Sequence, residues 1–304
     1  MDRSASSRSA VAPAPRRFSA FLTRPAGQSA PLATLLAARH IASIELPLLS
    51  IDPIPDTAAL DQAWAELARY ALLVFVSPNA VLHACARWRA LDPDWPRGFT
   101  ARAPMLAVVG PGSLRALQEQ GLGACLTVAP EGAAEELAQD DVSVPRRFDS
   151  EALLAVLARR VPQGLAAYRA TRIALIRGDG GRELLGDALR EAGAEVVAVP
   201  SYRRGAPRWQ PSDWAQVVAA LHDGAHAWLI SSSEAVRHLA ALAPTHLAPA
   251  DWQRLRQASF IAPHARIAAT ARACGFDRIR VCGPGDRAIA QAFVDAAQHV
   301  EDQE

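Results

Sequence analysis

The chain has 304 residues, half of them hydrophobic, and a formal net charge of +1. That is enough for two domains of about 100–150 residues with their own cores, and too neutral for a general affinity for nucleic acid. No apolar run approaches the roughly 18 residues that cross a membrane. Four scattered cysteines without a C-x-x-C pair (Cys85, Cys125, Cys274, Cys282) read as reduced thiols of a cytoplasmic protein.

The first 16 residues are mostly Ser, Ala, Pro and Arg and read as a disordered tail. They lack a signal-peptide core, although an Arg/Ser-rich, acid-poor start mimics a transit peptide. Phe18 to Leu22 is predicted as a strand, Thr23 to Gly27 as its turn, Pro31 to His40 as a helix and Ile44 to Leu49 as the next strand. Ile51 to Pro55 reads as a proline-stiffened connector between domains. Leu60 to Arg69 has Leu60, Trp64 and Leu67 on one helical face. Leu72 to Val76 is a strand that runs through Ser77 into a helix, and Leu91 to Pro104 reads as a surface loop. Leu106 to Val109, Gly110 to Ser113 and Leu114 to Gln120 repeat the strand–turn–helix pattern. Pro130 to Pro145 reads as acidic and irregular. Asp149-Ser150-Glu151 caps a helix that runs through Arg160.

Thr171 to Tyr202 is a complete βαβ unit: strand Ile173–Ile176, glycine-rich turn Arg177–Gly181, helix, then strand Val196–Val199 closed by Pro200. Arg203 to Pro211 reads as a second connector. The unit occurs twice. Arg24 corresponds to Arg177 (177 − 24 = 153), and Pro47 corresponds to Pro200 at the same offset (200 − 47 = 153). Downstream, Leu72 to Val81 echoes Ala227 to Val236, and Met105 to Gly121 echoes Ser259 to Gly275. A period this long means duplicated domains. The expected fold class is α/β with parallel sheets.

In such sheets, ligands sit on the turns at the carboxyl ends of strands. Five turns qualify: Thr23 to Gly27 with Arg24, Ser77-Pro78-Asn79, Gly110 to Ser113, Arg177-Gly178 to Gly181, and Ser231-Ser232 to Glu234. Free N–H groups and the dipole at a helix start bind carboxylates or phosphates. Each Ser alone is equally an ordinary N-cap. Arg24 and Arg177 suit either a ligand carboxylate or a structural ion pair. Tyr202, at the end of the βαβ unit, suits either packing or presentation of its hydroxyl to a cleft.

Several chemistries lack their residues. All 32 basic residues are arginine, so no side chain can form a Schiff base and no Walker lysine exists. Gly178-x-Gly180 lacks the third glycine and the acidic residue of a dinucleotide loop. His222 and His226 have no H-E-x-x-H context or cysteine partner for a metal, and no G-x-S-x-G elbow occurs.

Five stretches together resemble the uroporphyrinogen-III synthase family: Thr23-Arg24-Pro25, Phe75 to Val81, Val109 to Ser113, Val199 to Tyr202, and Ser231 to Val236. The resemblance covers Phe18 to Gln298. It implies two flavodoxin-like domains joined by two linkers, one built from residues 17–49 and 203–304, the other from 50–202. It implies closure of hydroxymethylbilane to uroporphyrinogen III, with loss of water and inversion of the last ring through a spiro intermediate. No metal or organic cofactor, nucleic acid or membrane is implied. The expected enzyme is a cytoplasmic monomer with a small-molecule substrate and room for transient contact with the preceding pathway enzyme. Carried over by position, Tyr202 is the proton donor, a role suited to a phenol that stays protonated at neutral pH. Arg24, Ser77, Asn79, Gly110, Ser113, Arg177, Gly178, Ser231, Ser232 and His264 are expected to bind substrate carboxylates. Ser113 stands where the family usually has Thr. Pro263-His264-Ala265-Arg266 departs from the family's Gly-x-x-Thr-type turn, so His264 or Arg266 would replace that hydroxyl.

Two other classes fit the pattern less well. A two-lobed α/β sensor or binding protein would need an export signal or an output module. A two-domain glycosyl transferase would need a nucleotide-sugar site and normally a longer chain.

Overall fold

A computed structural model describes residues 18–133, 149–180 and 183–301. The N-terminal tail, most of the acidic Pro130–Pro145 stretch and Gly181 lie outside the described residues. The chain divides into two compact units, one of residues 1–50 with 205–304 and the other of residues 51–204.

The first unit holds strands β1 (Ser19–Leu22) and β2 (Ala42–Glu45) around helix α1 (Ala30–Ala37). Each unit is built around one sheet. The second sheet takes β3 (Ser50–Pro53), β4 (Leu72–Phe75), β5 (Met105–Val108), β6 (Thr127–Val128), β7 (Arg172–Gly178) and β8 (Glu195–Gly205). Its helices are α2 (Ala58–Ala65), α3 (Pro78–Leu91), α4 (Arg97–Thr100), α5 (Pro111–Glu119), α6 (Ser150–Arg159) and α7 (Leu184–Glu191). The chain then returns to the first unit with α8 (Pro211–Asp223), β9 (His226–Leu229), α9 (Ser233–His246), α10 (Pro249–Arg256), β10 (Ser259–Ala262), α11 (Ala265–Ala273), β11 (Arg278–Val281) and α12 (Asp286–Glu301).

The first sheet runs β2-β1-β9-β10-β11 and the second β3-β8-β7-β4-β5-β6. Pairing is parallel throughout the first sheet and from β8 to β6 in the second. Leaving β3 aside, both follow the 2-1-3-4-5 order of flavodoxin-like folds, with β7 and β8 in the places of β1 and β2. The central strands are apolar on both faces because helices cover both sides. Phe21 and Trp228 face one core of the first sheet, while Ala20, Leu22, Ala227 and Leu229 face the other. Likewise Leu73, Phe75, Ala174 and Ile176 face one core of the second sheet, and Leu72, Val74, Ile173 and Leu175 the opposite one. This is the period of two expected of a strand.

Several local expectations need correction. Pro200 does not end its strand. β8 continues to Gly205, and its register against β7 shifts between Arg177 and Gly178, from Arg177 opposite Pro200 to Gly178 opposite Tyr202. A proline has no N–H to donate, and a bulge accommodates it within a paired strand. The strand predicted over Ile44–Leu49 is instead β2, which ends at Glu45. The connector at Ile51 begins as β3, and the one at Arg203 begins as the end of β8. The helix predicted over Leu60–Arg69 is α2 plus a separate 3-10 turn, Leu67–Arg69. Leu91 to Pro104 is not a plain surface loop. It contains α4, and Phe99 there is fully buried against Trp64, Trp88 and Trp95. An apolar anchor in a polar sequence cannot be recognised until its pocket exists.

Candidate functional site

In the second unit, β7 and β4 are neighbours at the point where the strand order reverses, and their carboxyl ends carry the predicted turns. Ser77 is the N-cap of α3. Its Oγ accepts the Ala80 N–H at 3.1 Å, in the ordinary geometry of a serine cap. The same Oγ lies 3.1 Å from the phenolic oxygen of Tyr202. Because Ser77 Oγ already accepts from the backbone, its own proton is free to point at the phenol oxygen.

The bulge in β8 puts Tyr202 there. Val197 and Val199 face the core beneath α3, and strict alternation would send residue 201 to that face next. The extra residue at the bulge resets the alternation, so Tyr202 joins that core and Ser201 donates its hydroxyl to the Arg177 carbonyl at 3.1 Å. The Tyr202 carbonyl accepts the Asp179 N–H at 2.7 Å, which ties the bulge to the turn after β7. Gly178 is required by this arrangement. A Cβ there would stand 2.9 Å from Tyr202 Cζ and 3.1 Å from its hydroxyl oxygen.

Other predicted residues of this unit lie on neighbouring turns. Gly110 is the N-cap of α5, and Ser113, in the first turn, is buried with its N–H on the Gly110 carbonyl at 3.1 Å. A Cβ on Gly112 would meet Pro78 at 3.2 Å, so the starts of α3 and α5 adjoin. Asn79 sits half-buried in the first turn of α3. Arg177 is buried and ion-paired to Glu183 at 2.6 Å.

The remaining predicted residues fall in the first unit. Ser232 caps α9 by accepting the Ala235 N–H at 3.1 Å, and Ser231 beside it is half-buried. Arg24 pairs with Asp286 at 2.6 Å. Both named arginines therefore hold structural ion pairs, the alternative left open by the sequence. His264 occupies the N-cap position of α11, exposed and without a side-chain cap bond. His222 pairs with Asp251 at 2.9 Å, whereas His226 is buried at the start of β9, so the two do not converge. Among the described residues no group of three or more His, Cys, Asp or Glu is placed to hold a metal ion.

Sequence reasoning missed two side chains. The Thr23 hydroxyl, fully buried, donates to the Leu229 carbonyl and joins β1 to β9 at their carboxyl ends. His83 stacks on Tyr202, with ring centroids 5.7 Å apart and planes 27° apart. Burial holds its imidazole below the usual pKa, with Asp52 pulling the other way. A signal for His83 was present: the repeat that matches Val81 with Val236 also matches His83 with His238 (238 − 83 = 155).

Two parallel sheets of 2-1-3-4-5 order, with hydroxyl-capped helix starts on their carboxyl edges, define a two-unit flavodoxin-like α/β protein. The family model described as uroporphyrinogen-III synthase HemD matches residues 30–283. A uroporphyrinogen-III synthase of Synechococcus elongatus is 34% identical over 234 residues, 76% of each chain. One from Escherichia coli is 28% identical over 283 residues, 88% of this chain and 96% of its own. A crystal structure of a mutant uroporphyrinogen III synthase from Thermus thermophilus shares the fold, with a TM-score of 0.51 and 20% identity, covering 93% of this chain and 99% of that one. The chain belongs to the uroporphyrinogen-III synthase family. Its activity is that of a lyase of tetrapyrrole biosynthesis, which closes hydroxymethylbilane to uroporphyrinogen III with loss of water and inversion of the last ring.

Proposed function

We propose that Tyr202 is the proton donor of this reaction and that Ser77 holds its hydroxyl in place. The observation that carries the assignment is the 3.1 Å contact between the two hydroxyls at the carboxyl edge of β4 and β7. The phenol protonates the hydroxymethyl oxygen of the substrate, and the C–O bond breaks with release of water. As the phenol oxygen gains charge, the Ser77 hydroxyl donates to it while its own oxygen keeps accepting the Ala80 N–H. The substituted carbon of the last pyrrole then attacks the electrophilic carbon. The spiro intermediate reopens and recloses with that ring inverted. The free substrate closes without inversion, so the protein's main task is to hold one conformation.

The eight carboxylates of the substrate engage the helix starts at Ser77-Asn79, Gly110-Ser113, Ser231-Ser232 and His264 and the turn that begins at Gly178, where N–H groups and hydroxyls are presented. Arg24 and Arg177 take substrate carboxylates by exchange with Asp286 and Glu183. The enzyme works as a cytoplasmic monomer, with transient hand-over of substrate from the preceding enzyme. Supporting this, all four cysteines are free thiols, and no helix among the described residues is long and apolar enough to cross a membrane.

The test is the ratio of isomer III to isomer I formed from hydroxymethylbilane by the wild type and by Tyr202→Phe. The variant is expected to lose roughly 10–10⁴-fold in turnover, the range of general acid–base groups. Wild-type turnover in Tyr202→Phe would remove the tyrosine from the mechanism.

A further inference from the structure

We infer that His83 is a positioning residue for Tyr202: its ring stacks on the phenol and keeps the hydroxyl at Ser77. The inference rests on the assignment of Tyr202 as proton donor. His83 lies in the second turn of α3, six residues after the cap Ser77, so one helix carries both groups that meet the tyrosine. Ser77 touches the phenol's oxygen, and the imidazole lies 5.7 Å from its ring, centroid to centroid. The third neighbour is Gly178, whose missing Cβ leaves the space that the ring end occupies. A tyrosine aimed by a strand bulge has no helical neighbour of its own to fix its χ angles. These three neighbours add to the packing of the ring in the core beneath α3.

The repeat supports a role for this helix position. In the first unit the matching His238 lies on α9, and its Nδ1 sits 2.9 Å from the Leu48 carbonyl, just past β2. In both units a histidine six residues after the helix cap reaches the far end of the βαβ unit: His238 the chain just past β2, His83 the last part of β8. Only in the second unit does it find an aromatic ring. Burial keeps the His83 imidazole uncharged at neutral pH, so it packs as a flat, neutral ring.

The test compares kcat and KM for isomer III formation from hydroxymethylbilane in the wild type, His83→Ala, His83→Phe, Tyr202→Phe and His83→Ala/Tyr202→Phe, each checked for folding by circular dichroism. His83→Ala is expected to lower kcat about 10-fold with KM nearly unchanged, the scale of losing one aromatic contact that orients a reacting group. His83→Phe restores most of the loss, because it keeps a flat ring at that place. In the Tyr202→Phe background, His83→Ala costs nothing further. Three results overturn the inference while leaving Tyr202 in place: wild-type kcat in His83→Ala when Tyr202→Phe is impaired, a loss that persists undiminished in the Tyr202→Phe background, or no recovery in a folded His83→Phe. Wild-type kcat in Tyr202→Phe would instead overturn the parent assignment.

Discussion

The two halves of the molecule share a scaffold, and at one matching place only the second carries a phenol. At equivalent places stand the caps Ser77 and Ser232, each accepting a backbone N–H at 3.1 Å, and the histidines His83 and His238. The offset that pairs Pro200 with Pro47 pairs Tyr202 with Leu49 (202 − 49 = 153), a buried aliphatic residue. The prolines themselves behave differently. β2 is an edge strand that ends at Glu45, and beyond it the Pro47 carbonyl accepts the Trp209 indole N–H at 2.8 Å. β8 has β7 on one side and β3 on the other, and the strand continues past Pro200 through a bulge. Duplication thus supplied two edges of capped helix starts, and in the sheet that carries the extra strand β3 a phenol meets a serine.

The sharpest way to break this comparison, after loss of the phenol itself, is to crowd it. Gly178→Ala places a Cβ 2.9 Å from Tyr202 Cζ, and the ring must move off Ser77. Turnover should fall about 100-fold, the cost of misplacing a reacting group by about 1 Å, while thermal unfolding shows an intact fold. Unchanged turnover would mean that the ring position seen here is not the working one.

The first unit has its own distinguishing feature, the buried histidine at the start of β9. Neither ring nitrogen of His226 makes a well-formed hydrogen bond among the described residues, and the ring packs edge-on against Phe21. Burial pushes its pKa down to about 4, with the Ala220 carbonyl and Asp223 pulling weakly upward. The unfolded chain takes up this proton near pH 6.5 and the folded one only near pH 4. The native state therefore binds fewer protons in between, and stability falls as pH drops through that window. The full effect is about 3 kcal/mol. Denaturant unfolding at pH 7 and pH 4 should show the loss, and His226→Phe should remove most of the His226 contribution. The same pH dependence in that variant would assign acid sensitivity elsewhere.

The smallest contrast tests the paired caps. Ser77→Ala and Ser232→Ala each lose one cap bond and about 1 kcal/mol of stability, and each raises KM. Only Ser77→Ala should also lower kcat, because only Ser77 touches the phenol. Equal kcat in the two variants would separate the Ser77–Tyr202 contact from catalysis.

Much of this was legible in the chain. Short apolar runs marked the strands, Ser and Asp before helical runs marked the caps at Ser77, Asp149 and Ser232, and the repeated offset exposed the duplication. These are local signals, set by backbone sterics and by which residues can satisfy the free N–H groups of a helix start. The path of β8 past Pro200, the burial of Phe99 and the pairing of Arg24 with Asp286 were not legible. Each depends on a partner that the local sequence does not name: a flanking strand, an aromatic pocket, a carboxylate from another turn. The sequence by itself determined the layered α/β pattern, the repeat and the polar helix starts. Only the tertiary structure decided that Tyr202 turns toward Ser77 and His83, because a bulge is chosen by the register of neighbouring strands and reverses the face on which a side chain emerges.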